Sequence, residues 1–262
     1  MAPEELIARY APLKRTLQPA QGQGDLAQVL ERVGKNVEDF LKYFPNTACS
    51  EEVRQEIQKS DLSRKKSTKY QYVIVSVPKS SSLEEYRTDS KGTLIEMGGL
   101  SQGFLLTSGF ATFPLFLHPV HQGGSRFRYL GTTSEPKAIL IAFAQIPGMA
   151  KLYHEHWAIP GPKVSIYFQG LIWVDPSTYH VVRMYAELLA PRREAGLDAE
   201  KAEVDYEPVS FKGVSQDFWL PREVNITLQS GYWTYRNRHH YSDYKLFTVE
   251  SYDKVKPPTP PQ

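Results

Sequence analysis

The chain has 262 residues, 31 Lys and Arg against 29 Asp and Glu, and a formal net charge of +2. At 41% hydrophobic and 12% aromatic it is too apolar for a disordered chain, and its single cysteine excludes a disulfide-stapled scaffold and any multi-cysteine zinc or iron–sulfur centre. A charge this close to zero gives no general pull toward nucleic acid, and no run of eighteen apolar residues exists to cross a membrane as a helix.

The start, Met1-Ala2-Pro3-Glu4-Glu5, is acidic and lacks the basic residues and apolar run of a signal peptide. It reads as cytoplasmic if the sequence is complete, and as periplasmic or otherwise extracytoplasmic if a signal peptide was removed. Leu6, Ile7, Tyr10, Leu13 and Leu17 form one helical stripe interrupted by Pro12. With the loop from Gln18 to Gly24 they make a helical arm over residues 1–24. Asp25 then reads as an N-cap. Leu26, Val29, Leu30, Val33, Val37, Phe40 and Leu41 recur at helical spacing and Pro45 closes the segment, so a helix is predicted over 25–43. Ser50 to Lys59 reads as a further helical turn or two. Ser63-Arg64-Lys65-Lys66 reads as a solvated connection.

From Lys69 the period changes to two. Tyr70 to Val77 is a strand ended by Pro78, and Leu83 to Asp89 a half-exposed one. Lys91-Gly92 is turn chemistry. Ala138 to Gln145 is a continuous apolar run, as in a strand buried on both faces. Val164 to Val174 and His180 to Leu188 make the clearest hairpin, joined by Asp175-Pro176-Ser177-Thr178 with Pro at the second turn position. Residues 203–211, 223–229, 232–241 and 244–251 read as four more strands, with turns at Ser230-Gly231 and Ser242-Asp243. The fold class is α+β: helices first, then nine or ten strands of a meandering antiparallel sheet, in a single domain over 25–251. The N-terminal helices are the available cover for its concave face. A Pro-rich flexible tail occupies 252–262.

One segment follows neither period. From Gly103 to Leu117 the chain is strongly apolar and is broken by Gly109 and Pro114. A surface loop would not carry Phe104, Leu106, Phe110, Phe113, Leu115 and Phe116. They either plug the concave face as core or form a flap that lines and gates a lipid-sized cavity.

Groups with chemical potential are few. His154-Glu155-His156 puts two imidazoles on one strand face, but no third ligand has matching spacing, so no metal is expected. His118-Pro119-Val120-His121 is bent by its proline, and adjacent His239 and His240 point to opposite faces of a strand. Arg236, Arg238, His240 and Lys245 interleave with Tyr232, Trp233, Tyr235 and Tyr241, a pattern that ordinary cross-strand pairing explains without nucleic acid. No Gly-x-Ser-x-Gly, His-Glu-x-x-His or phosphate-loop motif occurs, and Gln122-Gly123-Gly124-Ser125 has no strand–loop–helix setting. Glu84-Glu85 and Asp198 with Glu200 read as solvent-facing pairs. Cys49 reads as a structural thiol.

The hairpin Gln169-Gly170-Leu171-Ile172-Trp173-Val174-Asp175-Pro176-Ser177-Thr178-Tyr179-His180-Val181-Val182-Arg183-Met184 resembles the "G-x-x-W-I-D-p-x-t-x-x-V-v-R" hairpin of bacterial exported proteins of the lipoprotein-carrier superfamily, the LolA/LolB-like half-barrels. Phe218 to Val224 and Arg238 to Phe247 are similar to later strands of a related bacterial group. The resemblance follows element order over about residues 25–251. It implies a strongly curved antiparallel half-barrel with helices in its concavity. It also implies a non-enzymatic envelope protein, without cofactor, whose partner is a lipid or lipoprotein acyl chain. No binding residue transfers individually. The alternative is a structural or protein-interaction domain with a filled core and no ligand.

Overall fold

The computed structural model describes residues 3–10, 13–77, 82–95, 99–101, 104–150, 154–156 and 164–247. The tail over 252–262 and residues 248–251 lie outside them. Two short helices, α1 (Pro3–Arg9) and α2 (Leu13–Thr16), lead into a three-residue strand, β1 (Leu17–Pro19), and then the long helix α3 (Leu26–Tyr43). Asp25 occupies the N-cap position of α3 but makes no side-chain capping bond. The strands are β2 (Thr47–Lys59), β3 (Leu62–Val77), β4 (Ser82–Thr88), β5 (Leu94–Ile95), β6 (Gly99–Ser101), β7 (Phe104–Leu106), β8 (Ser125–Ser134) and β9 (Lys137–Gln145). They continue with β10 (His154–His156), β11 (Val164–Ile166), β12 (Phe168–Val174), β13 (Val181–Leu188), β14 (Ala199–Val209), β15 (Phe218–Ser230) and β16 (Trp233–Leu246).

Twelve strands form one antiparallel sheet in the order β1-β8-β9-β12-β13-β14-β15-β16-β2-β3-β4-β5. It is a meander with its chain order cut and rejoined: β16 pairs with β2, and β1 and β5 are the two open edges. Among the described residues, β6 with β7 and β10 with β11 make two separate two-stranded pairs.

Residues 50–59 are strand, not helix. Val53 and Ile57, four apart, satisfy both periods, and the Glu, Gln, Arg and Lys around them are helix formers. In fact Glu51, Val53, Gln55 and Ile57 all face inward, and two polar members of that inner row hide the alternation. The Ser63 to Lys66 connection is likewise the exposed first part of β3, paired residue by residue with β2. Ser242-Asp243 is not a turn. There β16 runs on through a bulge, with Asp243 at φ 58°.

The sheet is covered on both faces. Ile139, Ile141 and Phe143 of β9 and Ile172 and Val174 of β12 belong to the main core under α3 and the apolar insert. The alternate residues Leu140, Ala142, Leu171 and Trp173 form a second core on the other face. Leu13 closes that second core with Ile7, Tyr10 and Leu17, and the Tyr10 ring lies 5.2 Å from Trp173 and 5.3 Å from Tyr185. Only α3 therefore shares a face with the insert. The arm covers the opposite face, because the central strands are apolar on both sides and each side needs cover.

The insert leads from β5 at one edge to β8 near the other. On the way β7 lies against β2 and β16, and a 3-10 turn at Phe113–Leu117 lies against α3. The helix approaches so closely here that a Cβ on Gly34 would stand 2.7 Å from Gln122 Nε2 and 3.2 Å from the Leu117 carbonyl. Gln122 Nε2 donates to the carbonyls of Leu30 (2.9 Å) and Leu117 (2.8 Å), tying helix to insert.

Candidate functional site

Between α3, the insert and the far ends of β13 to β15 lies a cavity of about 320 Å³. Helix α3 supplies Val33, Val37 and Phe40 from its inner stripe, the insert Ala111, Pro114 and Leu115, and the sheet Val181, Tyr206 and Phe218. Val33, Val37, Ala111, Tyr206 and Phe218 are buried and make an apolar floor. Asn36, Asp39, Gln216 and Asp217 sit at the more exposed rim.

The hairpin turn builds one wall. Asp175 Oδ1 accepts the backbone N–H groups of Ser177 and Thr178, each at 2.8 Å, and Tyr179 takes φ 60° to leave the turn. Helix α3 docks on that turn: Asn36 Nδ2 donates to the Thr178 carbonyl at 2.8 Å, and Arg32 lies over the Tyr179 ring at 4.7 Å. His180 follows, stacked on Trp219 at 3.8 Å with the rings 4° apart. Burial pushes its imidazole below the ordinary range, so it is neutral at pH 7, and its Nδ1 is buried without a hydrogen-bond partner.

The residues singled out in the insert divide. Leu115 lines the cavity and is partly buried. Phe104, Phe110 and Phe116 are buried in the main core and Leu106 is buried beside β2 and β16 on β7, all at 4–5% exposure, and none lines the cavity. Phe113 packs against that core too. Phe116 lies 4.7 Å from Phe143, and Phe113 6.2 Å from Phe168.

Polar bonds fix the insert to the sheet. The Glu85 carboxylate accepts the N–H of Gly109 (2.7 Å) and of Thr112 (3.2 Å), so it is an anchor and not the solvent-facing residue its neighbour Glu84 suggests. The Tyr206 hydroxyl donates to the Phe110 carbonyl at 3.0 Å. Thr107 meets a buried chain of groups. Asn237 Nδ2 donates to Thr107 Oγ1 (3.2 Å), which bonds His239 Nε2 (3.0 Å), and His239 Nδ1 bonds Glu51 (2.8 Å). A carboxylate only accepts, so the His239 proton sits on Nδ1 and Nε2 accepts from Thr107. Arg87 completes the chain with a two-pronged bond to Glu51. Sequence reasoning missed this network. The inward row of β2 was its one available signal.

The remaining candidates are dispersed. His239 is fully buried while His240 is exposed and bonds Glu223, as adjacent strand residues must. Arg236 and Arg238 are exposed and Tyr235 and Tyr241 buried, so the interleaving is the two faces of β16. Cys49 is buried, and burial pushes its thiol up, away from the reactive thiolate. His118 and His121 have ring centres 5.7 Å apart. His154 and His156 lie on β10, and their side chains lie outside the described residues. Among the described residues, no three His, Cys, Asp or Glu are grouped to hold a metal, and no helix is long and apolar enough to cross a membrane. Glu200, on the inner-facing row of β14, is half-buried, and lost hydration pushes its carboxyl up to about 7; it too departs from the solvent-facing reading.

No family model and no curated protein matches the chain. Among solved structures it is similar to a DUF1329 family protein from Desulfovibrio piger, at 8% identity over 88% of this chain and 99% of that one, with a TM-score of 0.40. It is also similar to a putative outer membrane lipoprotein-sorting protein domain from Vibrio parahaemolyticus, at 9% identity over 87% and 97%, with a TM-score of 0.36. A LolA superfamily protein from Nitrosomonas europaea matches at 15% identity over 87% and 97%, with a TM-score of 0.38, so the superfamily resembled by the hairpin at Gln169–Met184 is also among the structural matches.

Proposed function

We propose that this chain is a non-enzymatic envelope protein that binds an apolar ligand, a lipid or lipoprotein acyl chain, between helix α3 and the sheet. The observation that carries the reading is the cavity of about 320 Å³ with its buried apolar floor and polar rim. That volume falls at the lower end of ligand-sized pockets, roughly 300–1,000 Å³, and suits one short chain. Each buried methylene contributes about 0.8 kcal/mol, so ten supply about 8 kcal/mol before ordering costs. Affinity is then weaker than micromolar, which corresponds to about 8.2 kcal/mol. The LolA-like hairpin in the sequence supports the same reading, because its turn forms one wall of the cavity.

In this reading Ala111, Pro114 and Leu115 are the part of the insert that meets ligand. The phenylalanines hold that part in place from the core and do not themselves gate it. The test is saturable uptake of a fluorescent alkyl probe by the purified protein, with Leu115→Trp as the blocked control. Uptake by the wild type and its loss in the folded variant are expected. Absence of saturable uptake by the wild type overturns the reading. The burial of Phe104, Leu106, Phe110 and Phe116 would then favour an interaction domain with a filled core.

A further inference from the structure

The rim of the cavity carries charge of one sign. Its charged lining residues are Asp39 and Asp217, and no Lys or Arg lines it. Asp217 is exposed and accepts a bond from Ser210 Oγ at 2.6 Å. Asp39 is partly neutralised by Lys35 at 2.9 Å, on the outer side of α3, and Lys35 also binds Glu38 at 3.0 Å. The other polar groups at the rim are uncharged. Asn36 is committed to the Thr178 carbonyl, and His180 carries a buried ring nitrogen, Nδ1, that has no partner.

An apolar ligand of this size has a polar end, and that end must sit at the rim with these groups. A carboxylate or phosphate there would face Asp217 and Asp39, and the cations beside the rim are already engaged, Lys35 with Asp39 and Glu38 and Arg32 over the Tyr179 ring. An ammonium would face the exposed carboxylate of Asp217, whose acceptors match its N–H donors, with the Asp39 carboxylate also at the rim. We propose that the cavity selects a single-chain amphiphile with a cationic amine head, its chain on the apolar floor of Val33, Phe40, Leu115 and Phe218 and its ammonium at Asp217. This inference rests on the apolar-ligand reading above and adds the class of head group.

Titration calorimetry of the whole chain with decylammonium, decanol and decanoate, each kept below its micelle concentration at pH 7, tests it. Exposed charge pairs contribute up to about 1 kcal/mol, and attraction of one head and repulsion of the other add, so decylammonium should bind about tenfold more tightly than decanoate. Asp217→Asn, an exposed substitution that leaves the core intact, should reduce that ratio several-fold and leave decanol binding unchanged. Asp39→Asn should do the same to a smaller extent, and added salt should compress the ratio. If decanoate binds as tightly as decylammonium, or if Asp217→Asn leaves the ratio unchanged, the head-group inference falls while the cavity reading stands. If none of the three binds, both fall.

Discussion

The carboxylate of Glu51 on β2 receives the guanidinium of Arg87 on β4 across the intervening β3, and neither side chain is exposed to solvent. Arg87 also lies over the Tyr72 ring of β3 at 5.4 Å. Burial alone would raise the Glu51 carboxyl, but the Arg87 charge and bonds, helped by His239, outweigh it and hold the group down at about 2. Removing Arg87 leaves the Glu51 carboxylate buried without its guanidinium partner. Arg87→Met is therefore expected to cost about 3–5 kcal/mol in urea unfolding. The double variant with Glu51→Gln should cost less than the sum of the two single changes. Additive losses would show that the two groups do not act as a pair.

Stability should fall with acid in two stages. Burial pushes the His239 imidazole down despite its bond to Glu51. The unfolded chain binds a proton at that histidine below about pH 6.5, while the folded chain refuses it until lower pH, so stability declines as pH drops below that value. The Glu51 contribution is complete above its unfolded value of about 4.5 and is lost as pH falls from there toward about 2. His239→Gln should flatten the first stage relative to wild type and keep most of the second, which Arg87 carries. Urea midpoints measured from pH 7.5 to 3 read both stages, and equal slopes for wild type and variant between pH 6.5 and 5 would contradict a neutral His239 in the fold.

The readable parts of this fold are those where one period dominates. Helix α3 shows a pure 3.6-residue stripe, β9 a short unbroken apolar run, and the hairpin at residues 168–188 a turn whose Asp175 and Pro176 state the geometry, although the expected first arm from Val164 is split, its first three residues pairing with β10 instead. Strand β2 was hidden because its inner face holds Glu51 and Gln55, and burial of those groups depends on partners far along the chain, Arg87 and His239. No local pattern announces a pairing across 36 or 188 residues. The same limit applies to the site. The phenylalanines of the insert were visible as a cluster, but the cavity is assembled from α3, the hairpin turn and the Gln216–Trp219 segment, whose adjacency follows from strand order alone. The second face of the sheet was legible in Leu140, Leu171 and Trp173, whereas the identity of its cover, the arm through Leu13 and Tyr10, was not.

Glu200 supplies an opposite pH effect. Its carboxyl titrates at about 7 in the folded chain because it loses hydration in β14. A raised carboxyl favours the folded state as pH falls through about 7 toward the unfolded value of about 4.5 and disfavours it above. Glu200→Gln is expected to stabilise the protein at pH 8 and to leave it nearly unchanged at pH 4.5. A loss of stability at pH 8 would mean that the charged carboxylate has a compensating partner.

The insert offers a contrast between residues that hold the fold and one that meets the cavity. Phe110 is buried, its ring 5.0 Å from His239, and its carbonyl accepts from Tyr206. Phe116 is buried between Phe143 and Phe127, at 4.7 and 6.2 Å. Truncating either to alanine removes a full aromatic side chain from a packed core, for an expected loss of about 3–5 kcal/mol in urea unfolding. Leu115 is only partly buried and borders a cavity that already exists, so Leu115→Ala deletes fewer contacts and should cost less than either. Its effect should appear instead in the uptake of an alkyl probe, as a weaker affinity in a protein whose unfolding midpoint has moved little. Were Phe110→Ala and Phe116→Ala to cost below 1 kcal/mol, with probe affinity changed, the insert would be a loosely held flap. A large stability loss in those two, with an affinity change confined to Leu115→Ala, identifies the phenylalanines as the core that positions the cavity wall.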